Sequence, residues 1–188
     1  TKKDKFNQRD RFFMNLALNL ARDRLGLTGE NPSVGCVIVK NDKVISLGQT
    51  GIKGRPHAEY NAIKSSKCNL KGSKLYVSLE PCTHYGKTPP CSNFIIKSKI
   101  KEVIFSIIDV DKRTKSKSFK VFKDKNIKVK NGLLRNEANK IYKSYIHNKN
   151  KKLPFVIGKL AVSKDNFIFS KNKNRITNRY SDNITQLL

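Results

Sequence analysis

Long apolar runs are missing from this 188-residue chain. No stretch approaches the roughly 18 apolar residues that a membrane-spanning helix needs. Residues 1–10 are charged and polar, without the apolar core of a secretory leader. We therefore expect a soluble protein with no membrane partner. The length allows one globular domain with a substantial core, plus part of a second.

Acidic residues are also scarce. The chain has 14 Asp and Glu against 40 Lys and Arg, and its formal charge is +26. Such a charge is typical of proteins that bind nucleic acid, a membrane surface or an anionic substrate. However, the excess is mostly lysine, scattered through every segment with few arginines and little aromatic interleaving. That pattern suits a compositional bias of the whole proteome at least as well as a binding surface. The charge alone does not predict a nucleic-acid partner.

Cysteines are too few, and too differently placed, for a disulfide framework. Cys36 lies in an apolar run and Cys68 in a polar stretch, whereas Cys82 and Cys91 each follow a proline in a motif typical of metal sites. Reduced thiols indicate a cytosol-like compartment, so we expect a cytoplasmic protein.

The most informative stretch of the sequence runs from residue 55 to residue 92. It begins with His57-Ala58-Glu59 and continues to Pro81-Cys82 and Pro90-Cys91. One imidazole and two thiolates suit tetrahedral zinc with the fourth position left to water. A nearby carboxylate that is not a ligand can move that water's proton. We therefore predict a hydrolytic site with one zinc ion held by His57, Cys82 and Cys91 and with Glu59 as the catalytic residue.

These motifs resemble those of the zinc-dependent nucleoside and nucleobase deaminases, whose signature is H-x-E followed by P-C-x-x-C. The first motif fits, but here eight residues separate Cys82 from Cys91 instead of two. With this longer spacing, residues 79–91 resemble the second zinc motif of the deaminase half of the bifunctional riboflavin-biosynthesis deaminase/reductase. The chain is identified as similar to that family.

The resemblance implies a reaction and a substrate-binding site. The reaction is hydrolytic deamination of 2,5-diamino-6-ribosylamino-4(3H)-pyrimidinone 5′-phosphate to 5-amino-6-ribosylaminouracil 5′-phosphate and ammonia. The positions that match the family's contacts to base, ribose or phosphate are Asn31, His84, Lys87 and Asp109. Two positions depart from the family's usual pattern: Thr50, where a histidine is common, and Val110, where a proline is common.

The pattern of apolar residues and turns predicts an α/β domain that begins with a hairpin. Predicted strands cover residues 34–39, 44–47, 74–79, 102–108 and 127–130. Predicted helices cover residues 11–25, with Asp10 as N-cap, and residues 57–64, 91–98, 119–125 and 133–148. The resemblance implies the cytidine deaminase-like fold, a three-layer α/β/α sandwich with a central mixed sheet.

Residues 1–148 are predicted to form the deaminase domain, and residues 149–188 a linker and the truncated start of a reductase-like domain. Residues 153–165 resemble the opening of the family's reductase, and residues 155–163 are predicted to form a strand. The 36 residues from 153 to 188 contain no glycine-rich phosphate loop and are too few for a dinucleotide-binding domain. We therefore expect neither NADPH binding nor reductase activity. A homo-oligomer and a separate reductase chain are both compatible with the sequence.

Three alternatives remain at this point. The charge favours a base deaminase acting on tRNA or single-stranded nucleic acid, or a non-catalytic, zinc-stabilised nucleic-acid-binding module. A closed structural zinc site is the third, with His84 as the fourth ligand. The eight-residue cysteine spacing and the reductase-like continuation favour the small, phosphorylated pyrimidine substrate over nucleic acid.

Overall fold

The computed structural model describes residues 5–168 and 177–186. The chain divides into two compact units, residues 1–153 and residues 154–188. In the part of the chain that is described, no helix has both the length and the apolar character needed to cross a membrane.

The first unit is built on a five-stranded mixed sheet. Its strands are β1 (Gly35–Lys40), β2 (Lys43–Gln49), β3 (Lys74–Leu79), β4 (Glu102–Ile107) and β5 (Lys128–Asn131). The order across the sheet is β2-β1-β3-β4-β5. β1 pairs antiparallel with β2 and with β3, whereas β3, β4 and β5 run parallel. β1, β3 and β4 are almost entirely buried, as expected for strands covered on both faces.

Helices cover both faces of this sheet. The helices of the first unit are α1 (Gln8–Arg22), α2 (Ala58–Ser65), α3 (Cys91–Lys97), α4 (Lys117–Lys123), α5 (Arg135–Ile141) and α6 (Lys143–Lys151). α1 packs on β1, β3 and α5, while α2 packs on β1, β2 and α3, and α3 packs on α4. The helices therefore form two separate layers around the sheet, which confirms the predicted three-layer α/β/α sandwich with a mixed sheet.

The start of α1 differs from its prediction. Asn7, not Asp10, is the N-cap, because the Asn7 side chain accepts the Asp10 amide at 2.8 Å. Asp10 accepts the Asn7 amide at 3.1 Å in return, which completes a capping box. The other oxygen of Asp10 accepts the Tyr76 hydroxyl at 2.6 Å. Asp10, the predicted cap, thus links the start of α1 to β3 through its hydrogen bond with Tyr76.

The hairpin between β1 and β2 is confirmed. Asn41 and Asp42 both have positive φ angles, 49° and 57°. Two central residues in the left-handed region are what a type I′ turn requires, and Asn and Asp tolerate that region better than most residues.

The helical region after β5 is broken where the sequence predicts one continuous helix. At Tyr142, φ is −92° and ψ is 8°, and this separates α5 from α6. α6 then continues to Lys151, through residues whose charge suggested a linker.

In the second unit, residues 155–163 form no strand, so that prediction is wrong. A short helix, α7 (Arg179–Gln186), is present. Of the predicted reductase-like start, residues 169–176 and 187–188 lie outside the described residues.

Candidate active site

The three predicted zinc ligands meet in one cluster. Sγ of Cys91 lies 3.3 Å from Nδ1 of His57, and Sγ of Cys82 lies 3.7 Å from the same nitrogen. Zinc with bonds of about 2.3 Å to sulfur and about 2.0 Å to nitrogen would place tetrahedral ligand atoms about 3.5 Å apart. The observed spacings therefore fit zinc.

Local structure brings these ligands together. His57 is the N-cap of α2 and Cys91 is the first residue of α3, so two helix starts meet at the cluster. Cys82 follows the end of β3, and its sulfur accepts the backbone N–H of Cys91 at 3.2 Å. A stiff segment with Pro81, Pro89 and Pro90 thus folds back on itself and delivers both thiols to one point.

The two thiols differ in acidity. Hydrogen bonding from the Cys91 thiol, followed by that from His57, lowers the pKa of Cys82 to about 4. The same bond to Cys82, together with burial, raises the pKa of Cys91 well above its usual value. The Cys82 hydrogen bond also raises the pKa of His57. The cluster therefore offers one thiolate and a second thiol whose proton a metal ion would displace.

Glu59 lies in the first turn of α2, two residues beyond His57, and is buried. Burial, and next the negative charge of Cys82, raise its pKa to about 7. A cation at the cluster would oppose both influences because positive charge favours the ionised carboxylate.

His84 is not a fourth ligand. Over the described ranges 5–168 and 177–186, the metal-binding group that contains Cys82 consists of His57, Cys82 and Cys91. Nδ1 of His84 instead pairs with the Thr114 hydroxyl at 3.2 Å. The closed structural zinc site is therefore not supported, and His57 and Cys82 both line a cleft.

The cleft has a volume of about 430 Å³ and joins the cluster to the predicted substrate residues. Its lining includes His57, Glu59 and Cys82, and also all four predicted contacts: Asn31, His84, Lys87 and Asp109. The structure thus brings every predicted site residue except Cys91 to this one cleft, and Cys91 contacts the cleft residue His57.

Two of these wall residues, Asn31 and Asp109, form hydrogen bonds within the protein. The Asn31 amide donates to the Gly54 carbonyl at 3.1 Å, and a side chain at Gly54 would collide with it, since a Cβ there would lie 2.5 Å from Nδ2 of Asn31. Asp109 is buried and accepts the Tyr145 hydroxyl at 2.9 Å. Burial is the main reason why the pKa of Asp109 is raised.

Sequence reasoning missed a charged group in the wall of the cleft. Arg113 donates to both oxygens of Asp111, at 3.0 and 2.7 Å, and Lys149 reaches Asp111 at 3.4 Å. Hydrogen bonding from Arg113 is the main reason why the pKa of Asp111 is lowered. Arg55 also lines the cleft and donates to the Thr88 hydroxyl at 2.8 Å.

Only part of this group had a signal in the sequence. Asp111 lies two residues beyond the predicted Asp109, and Arg55 lies two residues before His57. Lys149 had no such signal, because only the fold brings α6 to the cleft. Of the two departures from the family pattern, Thr50 lines the cleft, and its hydroxyl accepts the Val34 amide at 2.9 Å.

Residues 7–107 match the cytidine and deoxycytidylate deaminase zinc-binding region. The riboflavin biosynthesis protein RibD of Bacillus amyloliquefaciens is 41% identical over 156 residues, which are 83% of this chain and 42% of that protein. The diaminohydroxyphosphoribosylamino-pyrimidine deaminase of Buchnera aphidicola is 41% identical over 146 residues, which are 78% of this chain and 99% of that protein. The chain thus spans less than half the length of the RibD relative and almost all of the shorter one.

Among solved structures, the deaminase/reductase of Thermotoga maritima superposes with a TM-score of 0.86 at 34% identity. The match covers 95% of this chain and 52% of that protein. The matching fold, the zinc-binding triad and the close relatives agree. The chain belongs to the cytidine and deoxycytidylate deaminase family and, within it, to the deaminases of riboflavin biosynthesis.

Proposed function

We propose that this chain catalyses the zinc-dependent deamination of 2,5-diamino-6-ribosylamino-4(3H)-pyrimidinone 5′-phosphate, which yields 5-amino-6-ribosylaminouracil 5′-phosphate and ammonia. The observation that carries the proposal is the cleft, in which the zinc-binding triad, a buried carboxylate and a polar wall meet. The chain matches 99% of the length of the Buchnera relative, and the name of that relative supports this substrate over other pyrimidines.

His57, Cys82 and Cys91 would hold the metal. When bound, zinc supplies a Lewis acid that brings the pKa of a bound water near 7. Glu59 accepts a proton from the attacking water and passes one to the ring nitrogen as the new carbon–oxygen bond forms. It then assists the second proton transfer, to the exocyclic amine, which leaves as ammonia when the carbon–nitrogen bond breaks. A carboxylate suits this role because it can accept and return protons without displacing a metal ligand.

The polar wall would hold the rest of the substrate. Asn31 and Asp109 can present an amide and a carboxylate to the flat base and the ribose, because both lie in the cleft with the triad. His84 and Lys87 lie on the loop between the two cysteines, and Lys87 offers a cation to the phosphate. Arg113 is neutralised by Asp111, so Lys87 is the stronger phosphate candidate of the two.

The test compares two substrates with one preparation of the purified chain. Ammonia release is measured with the pyrimidine 5′-phosphate and with tRNA, and zinc is measured in the same sample. We expect about one zinc per chain and ammonia only from the pyrimidine phosphate. Release from tRNA alone, or none from either substrate in the presence of bound zinc, would contradict the proposal.

Cytoplasmic location and the lack of reductase activity remain predictions. So does the identity of partner chains, whether a second copy or a separate reductase. A single assay addresses the second point: the chain is mixed with the deaminated product and NADPH, and absorbance at the nicotinamide band is followed.

A further inference from the structure

Glu80 is a buried carboxylate in the wall of the site, and the proposed chemistry does not use it. It follows β3 directly and precedes the ligand Cys82 by two residues, and only 3% of its surface is exposed. Its backbone N–H donates to the Ile107 carbonyl at 3.0 Å, which prolongs the pairing of β3 with β4. The backbone of Glu80 is therefore fixed at the same strand end that delivers a zinc ligand.

The carboxylate of Glu80 accepts four hydrogen bonds, two on each oxygen. Oε2 accepts the backbone N–H of Asp109 at 3.2 Å and that of Ser116 at 3.0 Å. Oε1 accepts the backbone N–H of Ser118 at 3.2 Å and its hydroxyl at 2.6 Å. All four donors belong to residues 109–118, which run from just after β4 into the first turn of α4 and which we call the cleft loop.

The cleft loop carries a large share of the cleft's polar wall: Asp109, Asp111, Arg113 and Thr114. Its central turn closes on itself, because the amides of Thr114 and Lys115 donate to the Asp111 carbonyl. Glu80 holds the loop at both of its ends, at Asp109 and at Ser116 and Ser118.

We propose that Glu80 is a positioning residue for the deamination proposed above, on which this role rests. It fixes the cleft loop to the strand end that delivers Cys82. The substrate-binding residues of the loop are thereby held at a fixed position relative to the metal cluster. The four occupied acceptor sites set it apart from Glu59, which acts on the reacting atoms.

A carboxylate fits this set of four donors better than an amide of the same size. A carboxylate offers acceptors on both oxygens, whereas a glutamine side chain replaces one oxygen with an NH₂ donor. In one orientation that donor would face the N–H groups of Asp109 and Ser116, and in the other it would face the N–H of Ser118. At least one buried donor is then left without an acceptor, which is costly. Glu80→Gln keeps the size of the side chain but reverses half of its hydrogen bonding.

The first test does not depend on activity. Hydrogen–deuterium exchange of residues 109–118 is compared between the zinc-loaded parent and Glu80→Gln. The matched control is Glu102→Gln, which changes another buried carboxylate that pairs with Lys130 at the opposite end of the parallel strands. We expect exchange in the cleft loop to accelerate about tenfold or more in Glu80→Gln, the size expected for buried donors left unpaired, and to stay unchanged in Glu102→Gln. Equal exchange of the loop in both variants would overturn the proposal.

The second test measures kinetics. We expect Glu80→Gln to raise KM about tenfold or more while kcat changes less than about threefold, because binding and not proton transfer is disturbed. Ser118→Ala removes one of the four hydrogen bonds and should raise KM by a smaller factor. If Glu80→Gln does not fold, Ser118→Ala is the variant that tests the proposal. A fall in kcat with KM unchanged would overturn the positioning role. If the parent itself released no ammonia, the proposed function would fail, and the exchange experiment would still decide whether Glu80 holds the loop.

Discussion

At the scale of single residues, the site depends on the spacing of two residues between His57 and Glu59. His57 caps α2 and Glu59 lies in its first turn, so one helix start delivers both a metal ligand and the proposed proton carrier. The ligand must face the metal while the carboxylate stays out of its coordination sphere. A helix start achieves this because successive residues there point in different directions.

Glu59→Gln should keep the fold and the zinc but lower kcat by about 10²- to 10⁴-fold, because an amide cannot carry the proton. The measurement is ammonia release together with zinc content. Glu30→Gln is the matched control, since Glu30 also lines the cleft but is exposed and distant in sequence from the ligands. Turnover of Glu59→Gln within about tenfold of the parent would contradict the role of Glu59 as proton carrier.

Cys82→Ser should lower the zinc content of the purified chain from about one per chain to a small fraction, because a serine hydroxyl is a much weaker zinc ligand than a thiolate. Elemental analysis of protein purified without added metal checks this. Cys68→Ser is the control, because Cys68 is exposed and lies outside the cluster. Full zinc and full activity in Cys82→Ser would rule out the assignment.

Zinc affinity should fall as the pH falls. The pKa of Cys91 is raised by its bond to Cys82 and by burial, so this thiol holds its proton at neutral pH and must release it when the metal binds. Loss of the Cys91 proton makes the apparent Kd rise about tenfold for each unit of pH decrease. The raised pKa of His57 makes the rise steeper, because the imidazole must also lose a proton to bind the metal. Competition with a chelator of known affinity between about pH 6 and pH 8 measures the slope. An affinity independent of pH would show that both thiols are already ionised.

Single residues were predictable where the chemistry is local in sequence. The triad and Glu59 lie in two short motifs, and the structure places them together. Lys149 and Tyr145 could not be predicted in this way. They reach the cleft only because α6 folds back to it, and a tyrosine or a lysine on a helix carries no pattern that indicates such a contact.

At the scale of elements, the approach of α2 to the sheet fixes the site. Gly48 in β2 lies so close to α2 that a Cβ there would lie 2.2 Å from the Ala58 carbonyl oxygen and 2.5 Å from the Ala62 amide. These atoms are backbone, so they cannot move aside without moving the helix. The absence of a side chain at Gly48 therefore helps to set where His57 and Glu59 lie.

Gly48→Ala should destabilise the protein by about 3 kcal/mol, since overpacking of this kind displaces a whole helix. It should also lower zinc content, because α2 carries His57. Thermal unfolding and elemental analysis check both effects. Gly158→Ala is the control, because a Cβ there meets no atom within 4 Å. Unchanged stability in Gly48→Ala would show that the helix and strand can separate at little cost.

The elements themselves were largely predictable. The predicted strands agree with β1 to β5 to within two residues at every end, because buried strands form short, bounded apolar runs. The break at Tyr142 was missed because Tyr142 is itself buried and continues the apolar spacing of α5. The strand predicted for residues 155–163 failed for a different reason. A strand needs a partner, and β propensity without one is not sufficient.

At the scale of the whole molecule, the charge of +26 is the feature most easily misread. A phosphorylated pyrimidine carries one phosphate group, whereas a nucleic acid offers many. The two kinds of ligand therefore differ in how strongly salt weakens their binding.

KM for the pyrimidine phosphate should rise only about threefold between about 50 and about 200 mM salt, as for a single phosphate contact. Any binding of tRNA should weaken far more steeply and produce no inosine. Steady-state kinetics at several salt concentrations, with analysis of the tRNA nucleosides, provide the measurement. A steep dependence of KM on salt, together with inosine in the product, would favour a nucleic-acid deaminase.

The extent of α6 has a practical consequence for anyone who wishes to isolate the catalytic part of this chain. Tyr145 and Lys149 lie one helical turn apart, and each contacts an aspartate of the cleft loop, Asp109 and Asp111 respectively. A fragment that stops at residue 148, where composition suggests a boundary, would therefore lack a cation of its own substrate wall. A fragment that stops at residue 153 keeps the whole helix and ends where the first compact unit ends.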